Sequence, residues 1–315
     1  MSTLALKGPY WVTVRQYRRT LWLAGVLVIL ALAAIGGLRI WDAQTPDTYV
    51  QGGYVVPSDE NHGYGMLRWA MEYFSIGMVF LPLLVGAFVA GPLVARELES
   101  GTYKLSLTQS ISPARWLGSK LVTAGAAALA TMLALTAIFW VGWARVGGHS
   151  QLHWADRGVY EVVGTALTAY VLLGVAVGAL VGQLIRRTLV AMAATGGIVG
   201  IVLLALGALR WDFLSVVTIT GPAQVNASVP HMPDHDLIMG AGLLTDTGQR
   251  LPGWFCAPDG PRADCGTDEK IVGRYLDYHP QSHFWPTQLI ESGIVLALAA
   301  LALFLAFRVL RTRHP

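Results

Sequence analysis

The stretch GPLVARELESGTYKLSLTQSISPARWLGSKL, residues 91–121, is a polar segment with charges of both signs between two long apolar runs. Elsewhere charge is scarce, because only 13% of all residues are charged and 54% are hydrophobic. A soluble domain carries about 25% charged residues. The composition therefore predicts a membrane protein, and the concentration of charge in this segment needs a functional explanation.

Six runs of residues are long and apolar enough to cross the hydrocarbon core of a bilayer, which takes about 20 residues of helix. They lie at 20–40, 75–94, 121–143, 161–183, 189–209 and 287–308. Residues 91–121 connect the second run to the third. The sequence thus predicts an all-α polytopic membrane protein with six transmembrane helices.

The Lys and Arg residues beside these runs predict which side faces the cytoplasm, because basic flanks are retained there during insertion. The side that holds both termini carries the basic clusters, and Glu97 and Glu99 are the only acidic residues that this topology assigns to it. The clusters comprise Lys7, Arg15, Arg18, Arg19, Arg96, Lys104, Arg115, Lys120, Arg186, Arg187, Arg308, Arg311 and Arg313. We therefore expect a multi-pass protein of the cell (inner or plasma) membrane with both termini cytoplasmic.

The N-terminal segment PYWVTVRQYRRT, residues 9–20, has aromatic and apolar residues at roughly helical spacing. Arg15, Arg18 and Arg19 lie between them. This pattern is typical of a helix that lies on the membrane interface. A simple basic anchor for topology remains the alternative.

The polar segment itself contains signals for helix ends. Pro92 is expected to kink or end the second apolar helix. Gly101 follows a run of good helix formers and predicts a helix stop, while Ser112 and Pro113 predict the cap and first position of a new helix. The segment is predicted to form a helix, a turn and a second helix start at the inner membrane face.

The chain lacks the motifs of nucleotide binding and of common catalysis. It has no G-x-x-x-x-G-K-[ST] phosphate loop, because GSK at 118–120 lacks the upstream glycine and the following hydroxyl residue. It also has no H-E-x-x-H or G-x-S-x-G motif. We expect a non-catalytic subunit that binds no ATP and no cofactor of its own.

The segment resembles a motif in the permeases of type-2 ATP-binding cassette (ABC) exporters. After the second of six spans, these carry G-x-x-x-x-x-E-x-x-x-G-T, a hydrophobic stretch, a Ser-Pro or similar helix start, an Arg and a Gly-x-Lys. The matching residues are Gly91, Glu97, Gly101, Thr102, Ser112, Pro113, Arg115, Gly118 and Lys120. The motif covers about 30 residues, and the six-span topology extends the resemblance over essentially the whole chain.

The resemblance implies a coupling segment at 95–120 that docks on a separate ABC ATPase, which would bind ATP and Mg. It also implies that two permeases, identical or similar, form a dimer around an export path. The implied docking residues are Arg96, Glu97, Glu99, Gly101, Thr102 and Tyr103, with a smaller second contact at Arg186 and Arg187. A loop that contacts only lipid head groups is the alternative for the basic residues, and Arg186 and Arg187 are equally explained as topology signals.

Ionisable residues at or inside a span indicate function, because burying a charge in lipid is costly. Glu72, Glu161 and Glu291 are the candidates. All three lie near the predicted outer ends of spans, so we expect water to solvate them there. Glu291, about one turn inside the sixth span, is the best candidate for an outer gate or pathway.

Residues 210–286 form a long outer loop that is rich in Pro, Gly and Asp. Its SVVTIT and VNASV pieces predict short strands, so we expect a small extracytoplasmic cap between a transmembrane domain at 1–209 and a sixth span with tail at 287–315. Cys256 and Cys265 both lie in this loop, where an oxidising compartment favours a disulfide between them. Two unpaired thiols remain the alternative.

Three H-x-x-x-H pairs suggest a rival function. On a helix, this spacing brings both rings to one face and can bind zinc or copper. The pairs are His149 with His153, His231 with His235, and His279 with His283. Pro233 and Pro280 interrupt the second and third pairs. The alternative to transport is therefore a membrane sensor that binds a ligand or metal in its outer cap.

Overall fold

The computed structural model describes residues 9–51, 54–57, 61–103, 112–147, 152–222, 236–252 and 271–313. Six helical regions in this part of the chain are long and apolar enough to cross a membrane. They are span one Arg18–Gln44, span two His62–Ser100, span three Pro113–Val146, span four Ala166–Ile185, span five Thr188–Asp212 and span six Gln281–Thr312. The prediction of six membrane-spanning helices is confirmed, and the described part of the chain is mostly helical.

The regular elements are numbered here in chain order. The helices are α1 Pro9–Gln16, α2 Arg18–Gln44, α3 His62–Val79, α4 Leu81–Leu84, α5 Gly91–Ser100, α6 Pro113–Val146, α7 Val159–Val163, α8 Ala166–Ile185, α9 Thr188–Leu209 and α10 Phe284–Arg313. The strands are β1 Thr48–Gln51, β2 Tyr54–Pro57, β3 Val217–Pro222, β4 Leu237–Thr245, β5 Arg250–Pro252 and β6 Ile271–His279. We call the end of the bundle that carries Arg18 and Arg313 the terminus end, and the opposite end, where the strands lie, the sheet end.

Span two does not end at Pro92, which was one of the two outcomes predicted from the sequence. A π-helical turn, Val85–Ala90, leads directly into α5, and the N–H of Gly91 donates to the carbonyl of Gly86 five residues earlier. Proline cannot donate its own backbone hydrogen bond and crowds the carbonyl four residues before it. The wider π turn accommodates both effects, so the helix continues to Ser100.

The predicted helix stop and helix start on either side of the segment are both present. Gly101 ends α5 in the left-handed region with φ 73°, a conformation that costs glycine little. Ser112 caps α6 by accepting a hydrogen bond from the N–H of Arg115 at 3.3 Å, and Pro113 takes the first helical position. Residues 104–111 between them lie outside the described residues.

Span four forms the centre of the bundle and is mostly buried by its own chain. It packs against spans two, three, five and six. Glycines of span four lie at these contacts. A Cβ atom built on Gly178 would lie 2.4 Å from the Cβ of Ala90, and one on Gly182 would lie 3.0 Å from the backbone nitrogen of Ala95. Only glycine fits at Gly178.

Antiparallel strands lie at the sheet end. β1 and β2 pair with each other between spans one and two. Between spans five and six, the four-stranded sheet has the order β3-β6-β4-β5. β3 at 217–222 overlaps the predicted SVVTIT strand, whereas VNASV, Cys256 and Cys265 lie outside the described residues, so their strand and disulfide stay predictions.

The close approach of spans two and four makes a testable prediction. Gly178→Ala should lower the thermal unfolding midpoint of the detergent-solubilised protein, because the added methyl group overlaps Ala90. Gly197→Ala in span five is the matched control, because a Cβ there meets nothing within 4 Å. The control should keep or slightly raise the midpoint, since alanine favours helix over glycine. Equal midpoints for the two variants would contradict the packing described here.

Candidate functional site

The first candidate site lies at the terminus end around Glu97, and we call it the Glu97 cluster. One carboxylate oxygen of Glu97 accepts hydrogen bonds from Lys120 Nζ at 2.6 Å and from Gln16 Nε2 at 3.1 Å. The other oxygen accepts from Trp116 Nε1 at 3.1 Å. The cluster therefore joins α1, α5 and α6, although its members come from three separate parts of the chain.

Local sequence explains how the cluster is assembled. Trp116 and Lys120 are four residues apart on α6, so they lie on one face of that helix. Both are buried, and the Lys120 side chain is only 4% exposed. Its ammonium group also lies 6.0 Å from the ring centroid of Tyr17 and 5.5 Å from that of Trp116, where aromatic faces attract cations. Because Lys120 is buried, its ammonium group loses the solvation of water. The carboxylate of Glu97 offsets part of that desolvation cost.

Tyr17 completes the contact between the N-terminal helices and span two. Its hydroxyl donates to the backbone carbonyl of Leu93 at 3.4 Å. Burial and the nearby carboxylate of Glu97 raise the pKa of the Tyr17 phenol well above its usual range. The phenol therefore stays protonated and remains a hydrogen-bond donor.

Glu99 connects the same helix to span five. One of its carboxylate oxygens accepts hydrogen bonds from the backbone N–H of Thr188 at 2.9 Å and from the Thr188 hydroxyl. A carboxylate at a helix N-terminus satisfies an unpaired N–H and complements the helix dipole. Glu97 and Glu99, two residues apart on α5, thus bind to different neighbours.

The residues implied in docking differ in their exposure and in their partners. Glu97 and Glu99 already have partners in the chain, because Glu97 pairs with Lys120 and Glu99 accepts hydrogen bonds from Thr188. Gly101 and Tyr103 are half-buried. The exposed members at this end are Arg96, Glu99, Thr102, Arg186 and Arg187. Arg186 ends span four in the left-handed conformation, with φ 53°.

The second candidate site is a buried group at the sheet end, which we call the Arg210 cluster. Arg210 Nε donates to Glu291 Oε2 at 3.0 Å, and its Nη2 donates to Glu161 Oε1 at 2.7 Å. The three side chains are at most 5% exposed. The guanidinium carbon also lies 3.8 Å from the ring centroid of Tyr160. One cation is shared between two buried carboxylates on α7 and span six.

Neutral groups add further hydrogen bonds to this cluster. Tyr170 on span four donates to Glu291 Oε1 at 2.8 Å. Gln288 accepts from the backbone N–H groups of Thr165 and Ala166 and donates to the carbonyl of Tyr160 at 2.6 Å. The start of span four is thereby fixed to span six through paired polar atoms.

The environments expected for the three glutamates need a correction. Glu161 and Glu291 were expected to be solvated near the outer membrane surface, but both are buried. Arg210 removes the need for water by pairing with both of them. Glu72 is exposed and is not part of the cluster. Sequence analysis missed Arg210 because it had been assigned to the following loop.

A further charged group at the sheet end was also missed. Arg145 Nε donates to Asp42 Oδ2 at 2.9 Å, and Arg145 Nη2 donates to Asp47. The guanidinium holds the pKa of the Asp47 carboxyl below its usual range. These contacts tie the ends of spans one and three together across about 100 residues of sequence. Neither periodicity nor a short motif signals such a pair.

Of the three histidine pairs, one is described in full. Nδ1 of His279 lies 3.0 Å from Nδ1 of His283, although Pro280 separates them and the segment is not α-helical. His279 Nε2 lies 3.1 Å from the carbonyl oxygen of Trp211. His149, His231 and His235 lie outside the described residues, while His153 bonds locally to the N–H of Ala155. Within the described ranges, no three His, Cys, Asp or Glu residues are grouped to hold a metal.

Comparison with known proteins identifies one relationship. A family model described as ABC-2 membrane transporter related matches residues 23–210, which is more than half of the chain. The matched region includes Glu97, Lys120, Glu161 and Arg210. No curated protein and no solved structure shows a significant match to the chain.

The Arg210 cluster predicts a large effect of charge removal. Arg210→Met should destabilise the protein by about 3–5 kcal/mol, because it leaves two buried carboxylates without a counter-charge. The triple variant Arg210→Met, Glu161→Gln, Glu291→Gln should recover much of the lost stability, since no buried charge remains. Thermal unfolding in detergent measures both effects. A fully stable single variant would contradict the buried pairing.

The buried histidine predicts a loss of stability in mild acid. Burial and the neighbouring His283 lower the pKa of His279, so as pH falls below about 6.5 the unfolded state takes up a proton before the folded state does. The unfolding midpoint should therefore drop between pH 7.5 and pH 5.5. His279→Asn should reduce this drop, while His62→Asn on the exposed start of α3 should not. An unchanged pH dependence in His279→Asn would refute the assignment.

Proposed function

The chain belongs to the ABC-2 membrane transporter related family, and on that premise we propose that it is the permease subunit of an ABC transporter. In this proposal it forms the membrane pathway for ATP-driven export of a substrate, as a dimer with itself or a similar chain. ATP and Mg bind to a separate ATPase chain. The Glu97 cluster carries the proposal, because it joins the segment implied in docking to α1 and to span three.

The proposed docking surface consists of the exposed residues at the terminus end. Arg96 lies in the second half of α5 and Thr102 lies two residues beyond its end, while Arg186 and Arg187 lie at the turn between spans four and five. Glu99 connects these two regions through Thr188. A single partner surface can therefore contact both regions. The basic residues at this end also support its proposed cytoplasmic orientation.

The internal contacts of Glu97 and Glu99 suggest how movement is transmitted. A displacement of α5 is transmitted to α6 through the contacts of Glu97 with Lys120 and Trp116. It is transmitted to span five through the cap that Glu99 forms at Thr188. The contact of Gly182 with Ala95 passes the same displacement to span four. Each of these contacts involves buried charge, a helix cap or close backbone packing, so none of them yields easily.

The Arg210 cluster is proposed to hold the helices together at the sheet end. It connects α7, span five and span six through paired charges, and Tyr170 adds span four. Opening a path at this end requires the pairs to exchange partners or to meet water. Glu291 and Glu161 are thus the proposed gate residues. Glu72, on the exposed face of α3, stays a prediction for a pathway residue.

The packing inside a single chain supports the proposed dimer. Span four occupies the centre of the bundle with Ala, Val, Leu and Gly side chains packed against its neighbours. Large apolar side chains of several spans point away from their own chain, including Trp22, Phe88 and Phe304. A path at the seam between two such chains avoids opening this packed centre. The family resemblance implies the same arrangement.

Affinity purification tests the docking surface. The tagged chain, extracted from its native membrane in mild detergent, should co-purify with an ATPase that contains a phosphate loop and should hydrolyse ATP. Arg96→Glu should reduce the recovered ATPase by at least about tenfold, as expected for loss of roughly 1.4 kcal/mol of binding. Arg311→Glu is the control, because it reverses another exposed arginine at the same end.

Glu97→Gln separates docking from internal coupling. It removes the charge that faces buried Lys120 while leaving exposed Arg96 in place. We expect the ATPase to be retained, with a lower unfolding midpoint and ATP hydrolysis no longer stimulated by the permease. Recovery of no ATPase with the wild type, or equal losses with Arg96→Glu and Arg311→Glu, would overturn the proposed function.

A further inference from the structure

A cavity of about 380 Å³ opens between spans one, two and three in the half of the bundle nearest the terminus end. Tyr17 and Leu93 line it near the Glu97 cluster, and Leu27, Leu81 and Met132 line its far end. The ten steps along the chain from Tyr17 to Leu27 span about 15 Å at the rise of an α-helix. The groove is therefore elongated along the helix axes and lies within the transmembrane part of the chain.

The lining is chemically suited to a hydrocarbon chain. Small residues on span three, among them Ala124, Ala127 and Ala128, leave the space open. The two span-three threonines in the lining have their hydroxyl hydrogens occupied, because Thr123 donates to the carbonyl of Ser119 and Thr131 to that of Ala127. The wall of span three therefore offers aliphatic surface and no free hydroxyl donor to a polar ligand.

The chain segment at the terminus end of the groove is basic. Arg15, Arg18 and Arg19 are exposed on the same stretch that supplies Thr13, Tyr17 and Thr20 to the lining. The Glu97 carboxylate already accepts a hydrogen bond from Lys120 at 2.6 Å. Exposed arginines beside an apolar groove complement an anionic head group joined to an acyl chain.

We propose that this groove binds one anionic phospholipid, with an acyl chain between spans one, two and three and its phosphate at the arginines of residues 15–19. The occupant must be apolar along the groove and negative at the mouth, and a phospholipid of the adjoining leaflet meets both conditions. This site is separate from ATPase docking and from the Arg210 cluster. It places a lipid directly beside Tyr17 and Leu93, which join the N-terminal helices to span two.

Native mass spectrometry of the purified full chain tests the proposal with phosphatidylglycerol and phosphatidylcholine as probes. After delipidation, one phosphatidylglycerol per chain should be retained at collision energies that strip phosphatidylcholine. Ala127→Phe should reduce this retention at least tenfold, because the ring fills the groove. Ala126→Phe is the matched control, since Ala126 is exposed and lies on the opposite side of the same helix.

A second measurement, the unfolding midpoint, distinguishes loss of lipid binding from misfolding of a variant. Phosphatidylglycerol should raise the unfolding midpoint of the wild type and of Ala126→Phe, but not that of Ala127→Phe, with Ala24→Phe on span one as an independent groove-filling variant. Arg18→Gln with Arg19→Gln should abolish the preference for phosphatidylglycerol over phosphatidylcholine. Equal retention of both lipids by the wild type, or retention by Ala127→Phe equal to that by Ala126→Phe, would overturn the proposal. The proposal would also be overturned if the wild type formed lipid-free dimers that dissociate in Ala127→Phe. In that case a second copy of the chain would fill the groove.

Discussion

The contact between spans two and four constrains the rest of the bundle. At Gly178 the helices approach so closely that a single methyl group would overlap Ala90. This contact cannot slide smoothly, because close-packed surfaces have discrete arrangements rather than continuous ones. α5 extends from the same helix toward the terminus end, so its position follows from the buried contact rather than from the surrounding lipid. The polar segment that interrupts the apolar sequence is therefore anchored in the centre of the protein.

Charge is handled in the same way at both ends of the bundle. At the terminus end Lys120 meets Glu97, and at the sheet end Arg210 meets Glu161 and Glu291. Buried charges in a membrane protein are costly unless they are paired. Each pair therefore joins helices that the lipid alone would not hold in a fixed arrangement. A displacement at one end must either move these helices together or break such a pair.

Local signals predicted much of this structure. The six spans, the stop at Gly101 and the cap at Ser112 all follow from residues close together in sequence, so composition and spacing were sufficient to find them. The charge pairs depend on contacts between residues far apart in the chain. Arg210 lies 49 residues from Glu161 and 81 from Glu291, and no periodic pattern relates them. The π turn before Pro92 was missed because helix geometry responds to packing as well as to propensity.

The central claim is that an ATPase docks at the end of α5 and that two permease chains form the pathway. Electron cryo-microscopy of the complex purified from native membranes tests it most directly. The account predicts two permease chains and two ATPase chains, with Arg96 and Thr102 inside the protein interface and the sheet end facing away from it. An isolated permease chain, or a partner bound only to the sheet end, would contradict the account.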